Sequence, residues 1–231
     1  VKRAAVLGKG SLAAHACETI AALPDTVLDT VVPVAEEPDW DIRLSGYVTD
    51  RWPATCLVRS GDWHDLEGHF DLVFSVLYDR IIGPDLIDRA EHIINFHPGR
   101  LPHYRGVRPV NWALRNRENL HGVTIHAIDA GVDTGPVLAE ALFSIWPETD
   151  EVYDVWQRSM AHGRLLISDT LPRLDHIAPR EQDEALAVTH HSRDNAQLGD
   201  RSDWTRRHPG TTRVIYTRAV AACARLDGSA R

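Results

Sequence analysis

Positive charge is scarce in this 231-residue chain: 25 lysines and arginines face 33 aspartates and glutamates, a formal net charge of −8. That balance argues against a nucleic-acid-binding surface as the main business, although a local basic pocket for an anionic small molecule remains compatible with it. Cysteine is scarce too. Cys17, Cys56 and Cys223 lie far apart, are odd in number and form no CxxC pair. Neither a zinc ribbon nor a disulfide framework is supported, and no metal site is expected; reduced, buried thiols in a cytoplasmic protein are. No apolar run is long enough to span a bilayer. The opening VKRAAVLGKGSLAAHA has the look of a signal peptide, but Gly8, Lys9 and Gly10 cut its apolar run short. Internal repeats are absent. What is present is an ordinary globular balance, 43% hydrophobic and 25% charged, with length for one sizeable core.

The pattern along the chain alternates. Arg3–Leu7 is a short apolar run closed by glycine, and Ser11–Leu23 carries apolar residues at helical spacing up to Pro24. Val27–Val34, Thr55–Val58, Asp71–Leu77, Glu91–His97, Gly122–Ala127 and Val137–Ile145 read as strands. Residues 35–54 read as a loop-rich excursion around a short strand. Pro84–Ala90, Pro109–Arg115 and 150–171 read as helices, the last capped by Thr149 with Val152, Val155, Trp156, Met160 and Leu166 on its inner face. Residues 178–212 are polar, and Thr211–Leu226 has helical spacing, with Arg213 and Arg218 expected to be solvated or, alternatively, to meet a nucleotide phosphate. Strands alternating with helices predict an α/β fold, a mostly parallel sheet with helices on both faces. Functional loops of such sheets lie at the carboxyl ends of strands.

One such end is INFHPGRLPHYRG, residues 94–106. Residues two apart on a strand share a face, so Asn95 and His97 project together while Phe96 points into the core. Pro98 ends regular pairing, and Gly99 permits a sharp change of direction. A second segment, HAIDAGVDTGPVL at 126–138, places Asp129 and Asp133 in a glycine-punctuated turn. Alone, the first segment reads equally well as a capped strand end, and either aspartate of the second reads more readily as part of an ordinary turn. Together they supply an amide that donates to an oxyanion, an imidazole that donates or moves a proton, and a carboxylate that orients it. No serine or cysteine nucleophile accompanies them, so the set suits direct attack on a carbonyl by a substrate's own amine.

The pair of segments resembles the folate-dependent formyltransferases, whose motif is Asn-x-His-Pro, a Leu-Pro-x-Tyr-Arg-Gly-like loop, and Asp-x-Gly-Pro some thirty residues on. The likeness is good over roughly residues 70–175 and loose before them. It implies a Rossmann-like formyltransferase fold over 1–185 with a short carboxyl-terminal extension, 186–231. The family's catalytic residues fall on Asn95, His97 and Asp133. The implied co-substrate is 10-formyltetrahydrofolate, held by Arg80, Ile81 and Ile82 of LYDRIIGPDLI and by the turn Asp129, Ala130 and Gly131. In such an enzyme the amine attacks directly through a tetrahedral intermediate met by Asn95 and His97.

Within the family, too few residues follow 185 for the carboxyl-terminal barrel of methionyl-tRNA formyltransferases, and the charge opposes tRNA. GKGSL at 8–12 partly resembles the phosphate loop of glycinamide ribonucleotide enzymes, but YRG and DTGP depart from that group. HYRGVRPVNWALRN is most similar to the nucleotide-sugar N-formyltransferases. The expected acceptor is therefore a small amine, preferably on a nucleotide-linked amino-deoxysugar, with no nucleic acid or membrane partner. Gly10, Ser11, His103, Tyr104, Arg105 and Trp112 are the expected substrate contacts, and homodimerisation stays open. The alternatives are phosphoribosylglycinamide or another small amine as acceptor. More distant are an NAD-binding oxidoreductase, from the loose GxGxxA in GKGSLA with Glu36 downstream, a formyltetrahydrofolate hydrolase, and a non-enzymatic binding protein. His190–His191 read as a solvated loop. His121 and His126, of opposite parity, belong to opposite faces of one strand.

Overall fold

The computed structural model describes residues 1–202; the helix expected at 211–226, Arg213, Arg218 and Cys223 lie outside them. Seven strands form one sheet in the order β3-β2-β1-β4-β5-β7-β8. They are β1 (Lys2–Gly8), β2 (Thr26–Pro33), β3 (Cys56–Leu57), β4 (Phe70–Val76), β5 (Ala90–His97), β7 (Leu120–Ala127) and β8 (Val137–Ser144). Every pairing from β3 to β5 is parallel; β7 and β8 continue the sheet antiparallel. Alternation along the strands sorts their side chains into two cores. Ala4, Val6, Phe74, Ile94, Phe96 and Ile125 pack on one face beneath α1 (Gly10–Ala21), α4 (Pro109–Arg115) and α5 (Val152–Thr170). Ala5, Leu7, Val73 and Ile93 pack on the other with Leu86 of α3 (Pro84–Ile87) and with Trp63 and Leu66 around a 3-10 turn. The α/β sheet with helices on both faces is as expected, although the second face carries only short helical pieces.

Four local expectations change. Residues 44–51 form α2 (Leu44–Arg51), with Leu44 and Val48 buried, instead of loop or strand. The cap of α5 is Glu151, which shares a reciprocal capping box with Asp154, rather than Thr149. Cys56 is exposed, so only Cys17 of the two described cysteines is a buried thiol. His190 is no solvated loop residue. It belongs to β9 (Thr189–His190), which pairs with β6 (Arg105–Gly106), and its ring stacks on Trp112 at 4.1 Å and 7°. Residues beyond the expected boundary at 185 thus pack onto the same body, with Leu198 in the main core.

His121, 0% exposed, donates from Nε2 to the Pro98 carbonyl at 3.1 Å and leaves Nδ1 without a partner. Burial pushes its imidazole down from 6.5 to about 4. Between those values the unfolded chain binds a proton that the native fold refuses, so stability rises with pH and falls on acidification through that window. The expected loss is on the order of 3 kcal/mol. Melting curves at neutral pH and near the bottom of the window should show a smaller acid loss for His121→Gln than for the parent chain; equal losses would show that His121 is not the group responsible.

Candidate active site

Strand register builds the site. Ser75 on β4 pairs with Asn95 on β5, and Asn95 pairs with His126 on β7. Paired residues share a face, so the three form a polar row across three strands, opposite the core that holds Phe96. The antiparallel turn after β7 then returns Asp133 to the end of this row. Its carboxylate stands 3.3 Å from His97 Nδ1 and 3.4 Å from His126 Nε2, and the Gly106 N–H donates to it at 2.7 Å. The three expected catalytic residues are therefore brought together, with His126 as a fourth member.

The hydrogen bonds fix which atoms are free to act. His97 Nε2 faces the Tyr104 carbonyl at 2.6 Å and must donate to it, so in the neutral ring Nδ1 is the lone-pair side. His126 Nδ1 faces the Ala127 carbonyl at 2.7 Å, so its Nε2 accepts from the Asn95 amide at 3.1 Å. Two imidazole lone pairs thus surround one carboxylate, an arrangement one proton short of neutralising its own repulsion. Burial pulls the 4%-exposed His97 imidazole below its ordinary range, and the Asp133 charge pulls it back up. Burial pushes the Asp133 carboxyl up, but His97, His126 and the Gly106 N–H outweigh that and hold it well below the usual carboxylate range. The role of oxyanion donor expected of His97 does not fit, because its N–H is committed to Tyr104; only Asn95 has an N–H to spare.

Gly99 lets the chain leave β5 close to this ring, since a Cβ there would meet His97 Nε2 at 2.6 Å. Non-glycine residues in the left-handed region cluster here as well: Leu77 (φ 58°), Arg108 (φ 55°) and Asp133 (φ 54°) all line the same cleft. Such backbone is costly and persists where surroundings impose it, often at functional sites.

Two connected hollows meet at Asn95 and Asp133. The smaller, about 150 Å³, is lined by Tyr78, Arg80, Ile81, Ile82, Asp129 and Gly131 among others, which unites the two segments expected to hold the co-substrate. Ala130 is exposed and does not line it. The larger cleft, about 810 Å³, runs past Lys9, Trp40, Arg108, Asn111, Trp156 and His190.

The expected acceptor contacts fare worse. His103, Tyr104, Arg105 and Trp112 do not line either hollow. Tyr104 turns inward to donate to Glu118 at 2.7 Å, Arg105 is buried against Gln182 and Glu184, and Trp112 lies behind the His190 ring. In the first turn of α1, the Ser11 N–H and hydroxyl both donate to Asp41 Oδ2, at 3.0 and 3.2 Å. The protein's own carboxylate occupies the place where Gly10 and Ser11 were expected to hold a phosphate. Sequence reasoning missed Lys9, Arg108, Asn111 and His126. His126 had a usable signal, its position on the face opposite His121, but only the strand register sets it beside Asn95.

The family model described as formyl transferase matches residues 66–171. A methionyl-tRNA formyltransferase of Geobacter metallireducens is 37% identical over 119 residues, half of this chain and 38% of that protein. The chain thus matches little more than a third of the length of such curated relatives. The structure of an N-formyltransferase from Helicobacter canadensis, in complex with folinic acid and dTDP-3-aminofucose, shares the fold with a TM-score of 0.72. It is 22% identical, covering 84% of this chain and 72% of that one. A phosphoribosylglycinamide formyltransferase from Bacillus halodurans is 25% identical over 76% of this chain and 96% of that one, with a TM-score of 0.62. The matched segment, a little under half of the chain, contains every residue of the Asn95–His97–Asp133 cluster, and over that segment the chain is similar to the formyl transferases.

Proposed function

We propose that the protein transfers a formyl group from 10-formyltetrahydrofolate to the primary amine of a small molecule, and that the amine sits on a nucleotide-linked amino-deoxysugar. The observation that carries the reaction is the cluster at the junction of the two hollows: a donor amide on Asn95 beside a His97–Asp133 pair one proton short. The smaller hollow, walled by apolar Ile82 and Ile128 and by Arg80 and Ile81, suits the flat ring system of the folate. Bound there, the co-substrate supplies an activated formyl carbonyl at the mouth of the larger cleft. Asn95 Nδ2 is free to meet negative charge developing on that oxygen, while His126 holds the amide in place. His97 Nδ1 accepts the proton that the attacking amine must lose, and Asp133 stabilises the resulting imidazolium; as the tetrahedral intermediate collapses, the bond from the formyl carbon to N10 breaks and that proton passes to N10 of the departing tetrahydrofolate. No side-chain nucleophile is needed.

The larger cleft supports the acceptor class. Trp40 and Trp156 offer flat apolar surface for a base, and Lys9 and Arg108 offer positive charge for a diphosphate. Asp41, from the loop after β2, sits against the first turn of α1 and weakens the phosphoribosylglycinamide alternative and an NAD-binding one, both of which call for a phosphate there. The 37% identity to methionyl-tRNA formyltransferase favours tRNA as the second reading. A panel containing nucleotide amino-sugars, phosphoribosylglycinamide and initiator methionyl-tRNA, each offered with 10-formyltetrahydrofolate, separates the readings by the mass of the product. The expected result is formylation of an amino-sugar nucleotide; transfer to tRNA alone would replace that acceptor while leaving the chemistry intact.

A further inference from the structure

The polar segment that follows α5 reaches both loops that carry the cluster, and it does so through one side chain. Gln182, 8% exposed, donates from Nε2 to the Asp133 carbonyl at 2.9 Å and to the Gly135 carbonyl at 2.7 Å. Its Oε1 accepts from Arg105 Nε at 3.0 Å. Both amide hydrogens and the amide oxygen are used, so the group is satisfied in one orientation only. Arg105, itself buried, is held in turn by Glu184 through both terminal nitrogens, at 3.1 and 2.6 Å. Arg105 lies between the two contacts that set the cluster: the Tyr104 carbonyl accepts a hydrogen bond from His97 Nε2–H, and the Gly106 N–H donates to the Asp133 carboxylate. Gly106 has φ 84°, and a Cβ there would meet the His190 carbonyl at 2.1 Å, so β9 seals this loop from outside.

We infer that Gln182 is a positioning residue: it pins the left-handed backbone of Asp133 and, through Arg105, the loop facing His97, so that carboxylate and imidazole stay within reach of one proton. The inference rests on the reading of Asp133 and His97 as a coupled pair. Asp133 has a φ of 54° and no glycine's freedom to hold it, and two hydrogen bonds to its own carbonyl and to that of Gly135 replace that freedom. Replacing Gln182 with an isosteric apolar side chain strands those two buried carbonyls and the Arg105 Nε. Asp133 then moves from the ring it charges.

The test uses the full chain with isotope-labelled histidine rings and follows the His97 titration by NMR. Asp133→Asn is the reference, since it removes the charge without removing the turn; the His97 midpoint should fall, by about one unit or more. Gln182→Leu and Gln182→Met should lower the midpoint in the same direction, and Arg105→Lys should do so in part. Glu148→Gln, at an exposed carboxylate that pairs with Arg117 away from these contacts, should leave it nearly unmoved. With a working acceptor, Gln182→Leu should also cut kcat, by up to roughly 100-fold, while KM changes little. A folded Gln182→Leu or Gln182→Met with the parent midpoint, beside an Asp133→Asn that shifts it, would overturn the positioning role. Should Gln182→Leu fail to fold, Gln182→Met and Arg105→Lys carry the same comparison. An Asp133→Asn chain with an unmoved midpoint would instead remove the coupled pair itself, so the two failures are told apart.

Discussion

Asn95→Ala is expected to lower kcat for formyl transfer about 100- to 1000-fold, roughly 3–4 kcal/mol of barrier, while leaving affinity for the folate nearly unchanged. The size follows from the count of donors. His97 and His126 have each committed their N–H to a backbone carbonyl, at 2.6 and 2.7 Å, so Asn95 is the member of the cluster with a hydrogen to offer the oxyanion. Removing it leaves developing charge in a site where no other member donates, and a lost donor of this kind acts on the transition state rather than on binding. Affinity measured by calorimetry with a folate analogue should stay close to that of the parent, because Asn95 lies where the two hollows meet, and most of the smaller hollow's wall comes from other residues, among them Arg80–Ile82, Asp129 and Gly131. A proportionate rise in KM with kcat intact would show instead that the amide binds and does not catalyse.

Asp133→Asn should cost as much or more, on the order of 100- to 10,000-fold, the range for a lost proton-transfer group. It also has a signature that Asn95→Ala lacks. The proposed mechanism needs neutral His97, whose imidazole burial pulls below its ordinary range against the opposing pull of Asp133. Activity should therefore fall only as pH drops below the usual histidine region. Removing the Asp133 charge removes the upward pull, so the acid limb of the pH–rate profile moves to still lower pH as the rate falls. A limb that moved to higher pH would mean that Asp133 does not face a proton on His97. His97→Ala should share the rate defect without adding to it, since the pair acts as a unit. Asp129→Ala is the control: its carboxylate is spent on its own turn, accepting from the Gly131 N–H at 3.0 Å and from Thr134, so its loss should weaken folate binding more than chemistry.

The reach and the limit of sequence reading differ by residue. The period-2 patterns of β4 and β5 and the break at Pro98 are local, and they sufficed to put Asn95 and His97 on one face and Phe96 on the other. The capping and burial of α2 are weaker signals: Leu44 and Val48 are its buried residues in a polar stretch, so a loop was the natural reading. His126 illustrates what periodicity cannot supply. Its face was legible, its neighbour was not, because an antiparallel register joins Asn95 to His126 across thirty-one residues. The YRG loop failed for a different reason. Tyr104 and Arg105 are polar residues in a motif, which invites a substrate role, yet their partners, Glu118, Gln182 and Glu184, come from other parts of the chain and turn them inward. Ser11 was claimed in the same way by Asp41.

The central claim is that the Asn95–His97–Asp133 cluster moves a formyl group from folate to a small amine. Its most direct test follows label from the formyl carbon of 10-formyltetrahydrofolate in the presence of nucleotide-linked amino-deoxysugars, in parallel for the parent chain, Asn95→Ala and Asp133→Asn. The account predicts labelled formamide on the sugar with the parent chain, appearing as tetrahydrofolate is released, and only trace label with either variant at unchanged folate affinity. Label transferred equally well by all three chains, or label passing only to water as formate, would contradict it.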